Sequence, residues 1–502
     1  MAMLSEGENR LERIRRTSGF FLAPLIFLVL YFIPIPSLSP EAHRLLAIVV
    51  FTVICWVTEC IPLPIAAILG PTLAVILRVD EAKSVYAPFA DPIVILLLGS
   101  FIIAKAMTAQ RLDRRFAFGI LSIKGISHNS NSVMLGLGLV VFLLSMWVSN
   151  SATTAMMLPI GLGILSALKS IAAEAEGFRD QRYETGLMLI IAYSASIGGI
   201  STPVGTPPNL ITLGMLEKLG GIKIDFLRWM AVAVPISLFM FLFFWLYMSL
   251  ASPSPSIKLK GFSRFISEEK KKLGKWRQGE INVLIAFGIA VVLWVAPGFI
   301  SIFLGTDSAV YKTYNKALPE SVVAIIAACT LFILPTNWKA REFTLSLRGA
   351  LDIDWGTLLL FGGGLSLGAM MFKTGLAEAI GKYLINLTGA NSLISITALG
   401  IFLAITLSEA TSNTATANML LPLIIAIAAS AGISPLPPAI AVGIGASFGF
   451  MLPVSTPPNA IVYGSGLIPI TKMIKYGFIV DIVGYVIVFA GILILCPLVG
   501  LG

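Results

Sequence analysis

The stretch PVGTPPN occupies residues 203–209, and the stretch PVSTPPN occupies residues 453–459. The two stretches differ at one position and begin 250 residues apart. Each places two adjacent prolines inside a long apolar segment, where proline removes a backbone donor and disfavours helix just before it. We therefore predict two helices that are interrupted in the same way, at equivalent places in two related halves of the chain.

The composition is that of a membrane protein. Of the 502 residues, 57% are hydrophobic and 12% are charged, and the mean hydropathy is +0.91. Soluble domains average about 25% charged residues. The sequence therefore predicts an all-α integral membrane protein that is embedded in a lipid bilayer. The net charge of +9 is concentrated in loops, so it does not indicate a nucleic-acid partner.

Eleven apolar segments are predicted to span the bilayer. Two further apolar pairs, 132–168 and 392–430, each surround a short polar stretch. They are predicted to be re-entrant hairpins, and the alternative is two full spans joined by a polar turn at the outer surface. Both arrangements return the chain to the same side, so the charge distribution does not distinguish them. The predicted spans are residues 20–38, 44–61, 62–77, 91–109, 184–216, 229–250, 280–304, 318–334, 354–372, 436–465 and 476–499.

The distribution of Lys and Arg predicts the orientation. With the N-terminus inside, the inner segments hold 24 of these residues and the outer segments hold 10. This asymmetry predicts a multi-pass protein of the plasma (inner) membrane, with the N-terminal segment 1–19 in the cytoplasm and the C-terminus outside. The richest segment, 251–279, is predicted to be a basic cytoplasmic linker between the halves.

A second repeated motif supports the relation between the halves. SNSATTAMMLPI (149–160) aligns with SNTATANMLLPL (412–423) at an offset of 263, with seven of twelve positions identical. Equivalent spans are five apart in the predicted order, and five is odd, so they cross the membrane in opposite directions. This inverted-topology repeat is typical of secondary transporters, although channels can also have it.

The two repeated motifs predict binding chemistry. The polar tips contain only small neutral groups, where an ordinary surface turn favours Gly, Pro or Asp. A helix that begins at such a tip presents free N–H groups and a positive dipole end, which bind an anion without Lys or Arg. The free carbonyls of the preceding helix, with Ser and Asn oxygens, suit a small hard cation such as Na⁺.

Few titratable residues lie in the predicted spans. Glu59 and Lys105 are expected near the cytoplasmic face, and Glu409 lies three residues before Ser412, so its role stays open. No phosphate-binding loop motif is present, which argues against ATP-driven transport. No catalytic arrangement, metal-ligand cluster or covalent cofactor is predicted, since His43 and His128 stand apart in loops.

The motifs together resemble those of the divalent anion/sodium symporters. The resemblance rests on ASFGFMLPVSTPPNAIVYGSG (446–466), on the two tips and on WVTECIPLP, and it covers nearly the whole chain. It implies eleven spans with two re-entrant hairpins, a homodimer, and an elevator mechanism in which a transport domain moves against a scaffold domain. The implied scaffold segments are residues 20–109 and 280–372, and the implied hairpin and transport segments are residues 132–250 and 392–499.

The resemblance also implies a set of binding residues. The residues implied for the substrate carboxylates are Ser149, Asn150, Ser151, Thr206, Pro207, Ser412, Asn413, Thr414, Thr456 and Pro457. The residues implied for Na⁺ are Ser145, Ser149, Asn150 and the Gly205 region in the first half, and Ser408, Thr411, Asn413 and the Ser455 region in the second. The first tip departs from the family pattern, because Ser151 stands where Thr is usual.

The implied function is Na⁺-coupled transport of C4-dicarboxylates of the succinate, malate and fumarate type. Two related possibilities stay open at the level of the sequence: a Na⁺-independent dicarboxylate exchanger, and a carrier of citrate or sulfate. An anion channel built on the same repeat is the alternative from a different class.

Overall fold

The computed structural model describes residues 6–123, 130–173, 181–252 and 260–501. Parts of the segments predicted to be cytoplasmic lie outside the described residues. These parts are residues 1–5, 124–129 with His128, 174–180, and 253–259 of the predicted linker.

The described part of the first half consists of helices. They are α1 (Glu6–Phe32), α2 (Pro40–Thr58), α3 (Leu63–Ile76), α4 (Ala82–Tyr86) with a 3-10 turn (Ala87–Ala90), α5 (Pro92–Ala109), α6 (Leu112–Leu121), α7 (Ser130–Ser145), α8 (Asn150–Ala173), α9 (Gln181–Gly199), α10 (Pro207–Gly220), α11 (Phe226–Ala251) and α12 (Lys260–Lys272).

The second half repeats this order and adds a short ribbon. Its helices are α13 (Gln278–Leu304), α14 (Ala309–Ala317), α15 (Glu320–Ile333), α16 (Leu347–Leu351), α17 (Trp355–Lys373), α18 (Leu376–Thr388), α19 (Leu393–Ala410), α20 (Asn413–Ser430), α21 (Leu436–Gly445), α22 (Pro457–Tyr463) and α23 (Ile470–Leu498). The strands β1 (Pro335–Asn337) and β2 (Glu342–Phe343) pair antiparallel, so the prediction of an all-α chain misses one small hairpin.

Both interruptions predicted from the tandem prolines are present. Helix α9 ends at Gly199 and α10 begins at Pro207, while α21 ends at Gly445 and α22 begins at Pro457. Proline is favoured in the first turn of a helix, where its missing N–H has no partner in any case. Each pair of prolines therefore starts a new helix after a break, instead of kinking a continuous one.

The ends of the predicted spans differ most at charged segments. Helix α1 begins at Glu6, so most of segment 1–19, which was predicted only to lie in the cytoplasm, is helical and continuous with the first predicted span. Glu12 and Arg16 form an ion pair one turn apart, and Arg, Glu and Leu are strong helix formers. The predicted linker 251–279 likewise contains helix α12. Neither charged segment was recognised as helical because only apolar length was used to place spans.

Several described helices are suited to a membrane. In the described part of the chain, nine helices are long and apolar enough to cross a bilayer, or ten if the bent pair α14 and α15 counts as one span. Helices α19 and α20, predicted to form a re-entrant hairpin, each reach the length of a span. The total of eleven spans and the two re-entrant hairpins therefore stay predictions.

The two halves pack reciprocally. Helix α3 packs on α17, and α15, which is equivalent to α3, packs on α5, which is equivalent to α17. The same exchange relates α8 with α22 to α20 with α10. The packing of α7 on α9 recurs within the second half as the packing of α19 on α21. Contacts in which i meets j and j meets i are what a two-fold relation produces. The sequence repeat is thus also a repeat of the three-dimensional packing.

Glycine allows the two equivalent helix crossings to be close. A Cβ atom on Gly363 of α17 would lie 2.2 Å from the carbonyl oxygen of Ala67 in α3. A Cβ atom on Gly99 of α5 would lie 2.7 Å from the Cβ of Ala324 in α15. Helices that pack within a membrane favour small residues at such crossings, because the contact is stabilised by close packing.

We expect Gly363→Ala and Gly99→Ala each to destabilise the protein by about 1–3 kcal/mol, because the added methyl overpacks a helix crossing. The measurement is thermal unfolding of the purified protein in detergent. Gly288→Ala is the matched control, since a Cβ atom there meets nothing within 4 Å. A melting temperature for Gly363→Ala equal to that of Gly288→Ala would contradict the assignment of Gly363 to the crossing.

Candidate anion and cation site

The first polar tip is closed by a hydrogen bond between the ends of two helices. Helix α7 ends at Ser145, whose Oγ donates to Oδ1 of Asn150, the first residue of α8, at 2.7 Å. Ser149 Oγ accepts from the backbone N–H of Ala152 at 3.4 Å. The chain therefore turns back within four residues, and Ser149 caps the helix that follows.

The second tip repeats this bond at the offset of 263. Ser408 Oγ, near the end of α19, contacts Oδ1 of Asn413 at 2.7 Å and the carbonyl oxygen of Ala446 at 2.8 Å. Because the hydroxyl carries one proton, these two bonds share it. The Ser–Asn bond is thus a duplicated structural element that orients the asparagine oxygen at both tips.

An asparagine side chain holds each interrupted helix together. In the first half, Asn209 Nδ2 donates to the carbonyl oxygens of Gly199 at 3.0 Å, Ile200 at 3.1 Å and Thr202 at 2.7 Å. The last carbonyls of a helix have no partner within that helix. In the described structure, the Nδ2 group of Asn209 donates only to these three carbonyl oxygens. The side-chain amide of Asn209 therefore satisfies carbonyls that the end of α9 and the start of the break leave without a partner.

The second half contains the same arrangement at the offset of 250. Asn459 Nδ2 donates to the carbonyl oxygens of Gly449 at 2.8 Å and Leu452 at 2.9 Å. Both asparagines are fully buried, and the Oδ1 atom of each has no donor in the described structure. No role was predicted for these asparagines from the sequence, although both follow a proline pair at equivalent positions, which is a signal of a shared structural role.

Tip and break meet in the first half at two glycines. A Cβ atom on Gly199 would lie 2.2 Å from Oδ1 of Asn150, and one on Gly205 would lie 2.4 Å from the carbonyl oxygen of Gly199. Any larger side chain would separate these groups. The structure therefore brings together Ser145, Asn150 and Gly205, three of the residues predicted to bind Na⁺ in this half.

The equivalent residues of the second half are also close together. A Cβ atom on Gly449 would lie 3.4 Å from the carbonyl oxygen of Ser408, 3.2 Å from Cβ of Ser455 and 3.1 Å from Cγ2 of Thr456. Thr411, the remaining predicted ligand, contacts the hydroxyl of Thr416 at 2.9 Å. Ser408, Ser455 and Thr456 thus lie around Gly449, whereas Thr411 contacts a hydroxyl of helix α20.

Glu409 makes the second half different from the first. Its Oε1 accepts from the N–H of Met451 at 2.8 Å, and its Oε2 accepts from Oγ of Ser455 at 2.7 Å. Met146 stands at the equivalent position of the first half. Glu409 therefore ties the second tip to the second break, and the hydroxyl proton of Ser455, a predicted Na⁺ ligand, is already used within the protein.

Helix N-termini supply the positive potential. Helices α8, α10 and α20 begin at the tips and at the first break, and they contain 24, 14 and 18 residues. In the described structure the N–H groups at the start of α20, residues 413–415, have no backbone partner, and Ser412 makes no side-chain cap bond. Such an end attracts negative charge. The arrangement can hold a carboxylate without a basic side chain.

The remaining predicted residues differ in burial. Thr206, Thr414 and Thr456 are buried, and Thr456 Oγ1 accepts from the N–H of Asn459 at 3.4 Å. Pro457 is exposed at the protein surface. The predicted substrate residues that are half-buried are Ser149, Asn150, Ser151, Pro207, Ser412 and Asn413.

The other titratable residues considered at the sequence level lie in ion pairs elsewhere. Glu59 contacts Arg15 at 3.3 Å and Arg16 at 3.6 Å, and Lys105 contacts Asp352 at 2.5 Å. Asp481, for which no role was predicted from the sequence, is buried in the middle of the long helix α23. A carboxyl group within an otherwise apolar span was the signal that could have identified it.

Comparison with known protein families gives a match over nearly the whole chain. The family described as the sodium:sulfate symporter transmembrane region matches residues 15–501. A sodium-dependent dicarboxylate transporter, SdcS, of Staphylococcus saprophyticus is 32% identical over 501 residues, which cover 99% of this chain and 94% of the relative. SdcS of Staphylococcus aureus is 33% identical over 486 residues, which cover 96% of this chain and 91% of the relative.

Two solved structures share the fold at low sequence identity. The YdaH transporter of Alcanivorax borkumensis has a TM-score of 0.54 and 14% identity, covering 83% of this chain and 88% of its own. MtrF of Neisseria gonorrhoeae, from a class of antimetabolite efflux pumps, has a TM-score of 0.55 and 13% identity, covering 84% of this chain and 83% of its own. At this identity the likeness concerns the fold alone.

We expect Asn209→Ala and Asn459→Ala to lower the free energy of unfolding by about 1–3 kcal/mol for each buried carbonyl left without a donor. Thermal unfolding in detergent measures the loss. The matched control is Asn386→Ala in α18, because Asn386 is exposed to solvent. If Asn209→Ala and Asn386→Ala melted at the same temperature, the structural role of Asn209 would be excluded.

Proposed function

The chain belongs to the sodium:sulfate symporter family, the divalent anion/sodium symporters, and on that basis we propose that it transports C4-dicarboxylates together with Na⁺. It is a multi-pass membrane transporter and not an enzyme. The observation that carries the proposal is the duplicated Ser–Asn bond at the two tips, at 2.7 Å in each half, beside two equivalent interrupted helices.

The proposed dicarboxylate site lies between the two tips. One carboxylate would accept hydrogen bonds at the start of α8, from Ser149, Asn150 and Ser151. The other would do so at the start of α20, where the N–H groups of residues 413–415 are free of backbone partners. Two separate helix ends suit a substrate with a negative charge at each end. Hydroxyl groups and helix ends also bind sulfate, so the preference for a C4 chain rests on the relatives.

The proposed Na⁺ positions lie one in each half. Asn150 and Asn413 each present an amide oxygen that is oriented by a serine, and Asn150 lies next to Gly199, where a side chain would not fit. Amide, hydroxyl and carbonyl oxygens are the ligands that small hard cations prefer. Na⁺ bound there would offset the charge of the dianion, which lowers the cost of moving it through a region of low dielectric constant.

Unequal contacts between the halves support the proposed elevator movement. Helix α17 packs against α10 and α20, while the equivalent helix α5 has no comparable packing on α8 or α22 among the described residues. A Cβ atom on Gly364 would lie 1.9 Å from Oδ1 of Asn418, whereas Phe101 stands at the equivalent position of α5. A pseudo-symmetric carrier with such unequal contacts occupies one of two alternative arrangements. The homodimer and the cytoplasmic N-terminus are proposed from the family and from the charge distribution.

We expect removal of Na⁺ to abolish the uptake of labelled succinate into proteoliposomes, because the dianion would otherwise move without its compensating charge. The control replaces Na⁺ by choline at the same ionic strength. Undiminished uptake without Na⁺ by vesicles preloaded with dicarboxylate would contradict symport and identify an exchanger. Single-channel currents would identify a channel instead. A panel including citrate and sulfate tests the substrate class.

We expect Asn150→Ala and Asn413→Ala each to reduce succinate uptake about tenfold or more, since each removes an oxygen ligand and a helix-end contact worth roughly 1.5–3 kcal/mol. Folding is checked by the melting temperature and by elution from a size-exclusion column. Asn386→Ala again serves as the matched control, because its side chain is exposed on α18. Wild-type uptake by Asn150→Ala with intact folding would show that the substrate site lies elsewhere.

A further inference from the structure

A second buried carboxyl group lies at the break that Glu409 contacts. Asp481 lies in the middle of α23, and the exposed fractions of Asp481 and Glu409 are 4% and 5%. Gly477, one turn before Asp481, packs on this break, because a Cβ atom there would lie 2.6 Å from Cα of Met451, whose N–H donates to Glu409. Neither oxygen of Asp481 has a donor in the described structure. In the described part of the chain, no lysine, arginine or histidine forms an ion pair with either group.

The break on which α23 packs is rich in polar groups. Tyr193, which is fully buried in α9, donates its hydroxyl proton to the carbonyl oxygen of Phe450 in this break. Glu409 already accepts two hydrogen bonds from the break, from Met451 and Ser455. Asp481 therefore lies beside unwound backbone that already holds one carboxyl group, and neither of its oxygens has a donor in the described structure.

The first half has a neutral pair at the corresponding place. Ser237 of α11 contacts Ser201 in the first break at 2.7 Å between the two hydroxyl oxygens. The position equivalent to Ser201 is Met451, whose N–H donates to Glu409. The first half therefore shows that neutral hydroxyl groups are enough to hold the last long helix against the break. The two carboxyl groups of the second half are not needed for that structural role.

Two neighbouring carboxyl groups in a membrane interior are strongly disfavoured as charged groups unless a cation lies between them or one of them holds a proton. Carboxylate, hydroxyl and unwound carbonyl oxygens are the ligands that hard cations take in transporters. We propose that Asp481 and Glu409 bind a further Na⁺ ion in the second half, in addition to the two Na⁺ positions of the proposed function. This inference rests on that function, because it takes the coupling ion as the occupant.

The test counts Na⁺ bound to the purified full-length protein in lipid nanodiscs, using ²²Na⁺ and a scintillation proximity assay. The wild-type protein is compared with Asp481→Asn. The matched control is Asp225→Asn, because Asp225 is a buried carboxylate that caps α11 and asparagine caps equally well. We expect Asp481→Asn to bind one Na⁺ fewer per protomer than the wild type, and Asp225→Asn to bind the same number.

Melting temperatures of the same samples, measured with and without Na⁺, test the proposal independently of the Na⁺ count and show whether each variant is folded. Without Na⁺, Asp481→Asn should melt at a higher temperature than the wild type, because it removes an uncompensated charge. It should also gain less from added Na⁺. Glu409→Gln should likewise melt at a higher temperature than the wild type without Na⁺ and gain less from added Na⁺. Equal Na⁺ counts for the wild type and Asp481→Asn would overturn the proposal.

A proton in place of Na⁺ would also overturn it. Its signature is a carboxylic-acid C=O band in the infrared spectrum at neutral pH and saturating Na⁺ that Asp481→Asn removes. Succinate uptake is measured in parallel. Absence of Na⁺-dependent uptake by the wild type would refute the proposed function, whereas an unchanged Na⁺ count in Asp481→Asn refutes only the additional site.

Discussion

The structure depends on one constraint: backbone polar groups that are buried away from water need partners within the protein. The two breaks, residues 200–206 and 446–456, place unwound backbone among buried side chains. Asn209 and Asn459 satisfy the carbonyls that the broken helices leave free. Once these carbonyls are paired, the helix ends nearby can be left open to a ligand. The proposed binding chemistry is therefore a consequence of how each break is closed.

Duplication of an ancestral unit explains why the same hydrogen bonds close both tips and both breaks. Later divergence explains how the two halves differ. The Ser–Asn bond and the asparagine–carbonyl bonds recur at fixed offsets, so they belong to the common unit. The carboxyl groups of Glu409 and Asp481 occur only in the second half, where the first has Met146 and a pair of serines. A pseudo-symmetric scaffold can in this way hold chemically different sites at equivalent places.

The match between sequence prediction and structure varies with the kind of signal. The proline pairs predicted the two breaks because proline acts on its own backbone, whatever surrounds it. The charged start of α1 was not predicted to be helical, because apolar length reveals spans but not helices that continue beyond the bilayer. No role was predicted for Asp481, because the sequence does not show which groups lie near a single carboxyl in a long apolar segment. The structure shows that α23 packs on the break that Glu409 contacts.

The sequence by itself determined the membrane setting, the family, the duplicated halves and the positions of both breaks. These properties follow from composition, from repeated motifs and from local backbone chemistry, all of which can be read along the chain. Only the tertiary structure decided that Asn150 meets Gly199, that Asn459 closes its break and that α23, which carries Asp481, packs on the break that Glu409 contacts. These contacts join segments that are separate in the sequence, and their partners are fixed by how the helices pack.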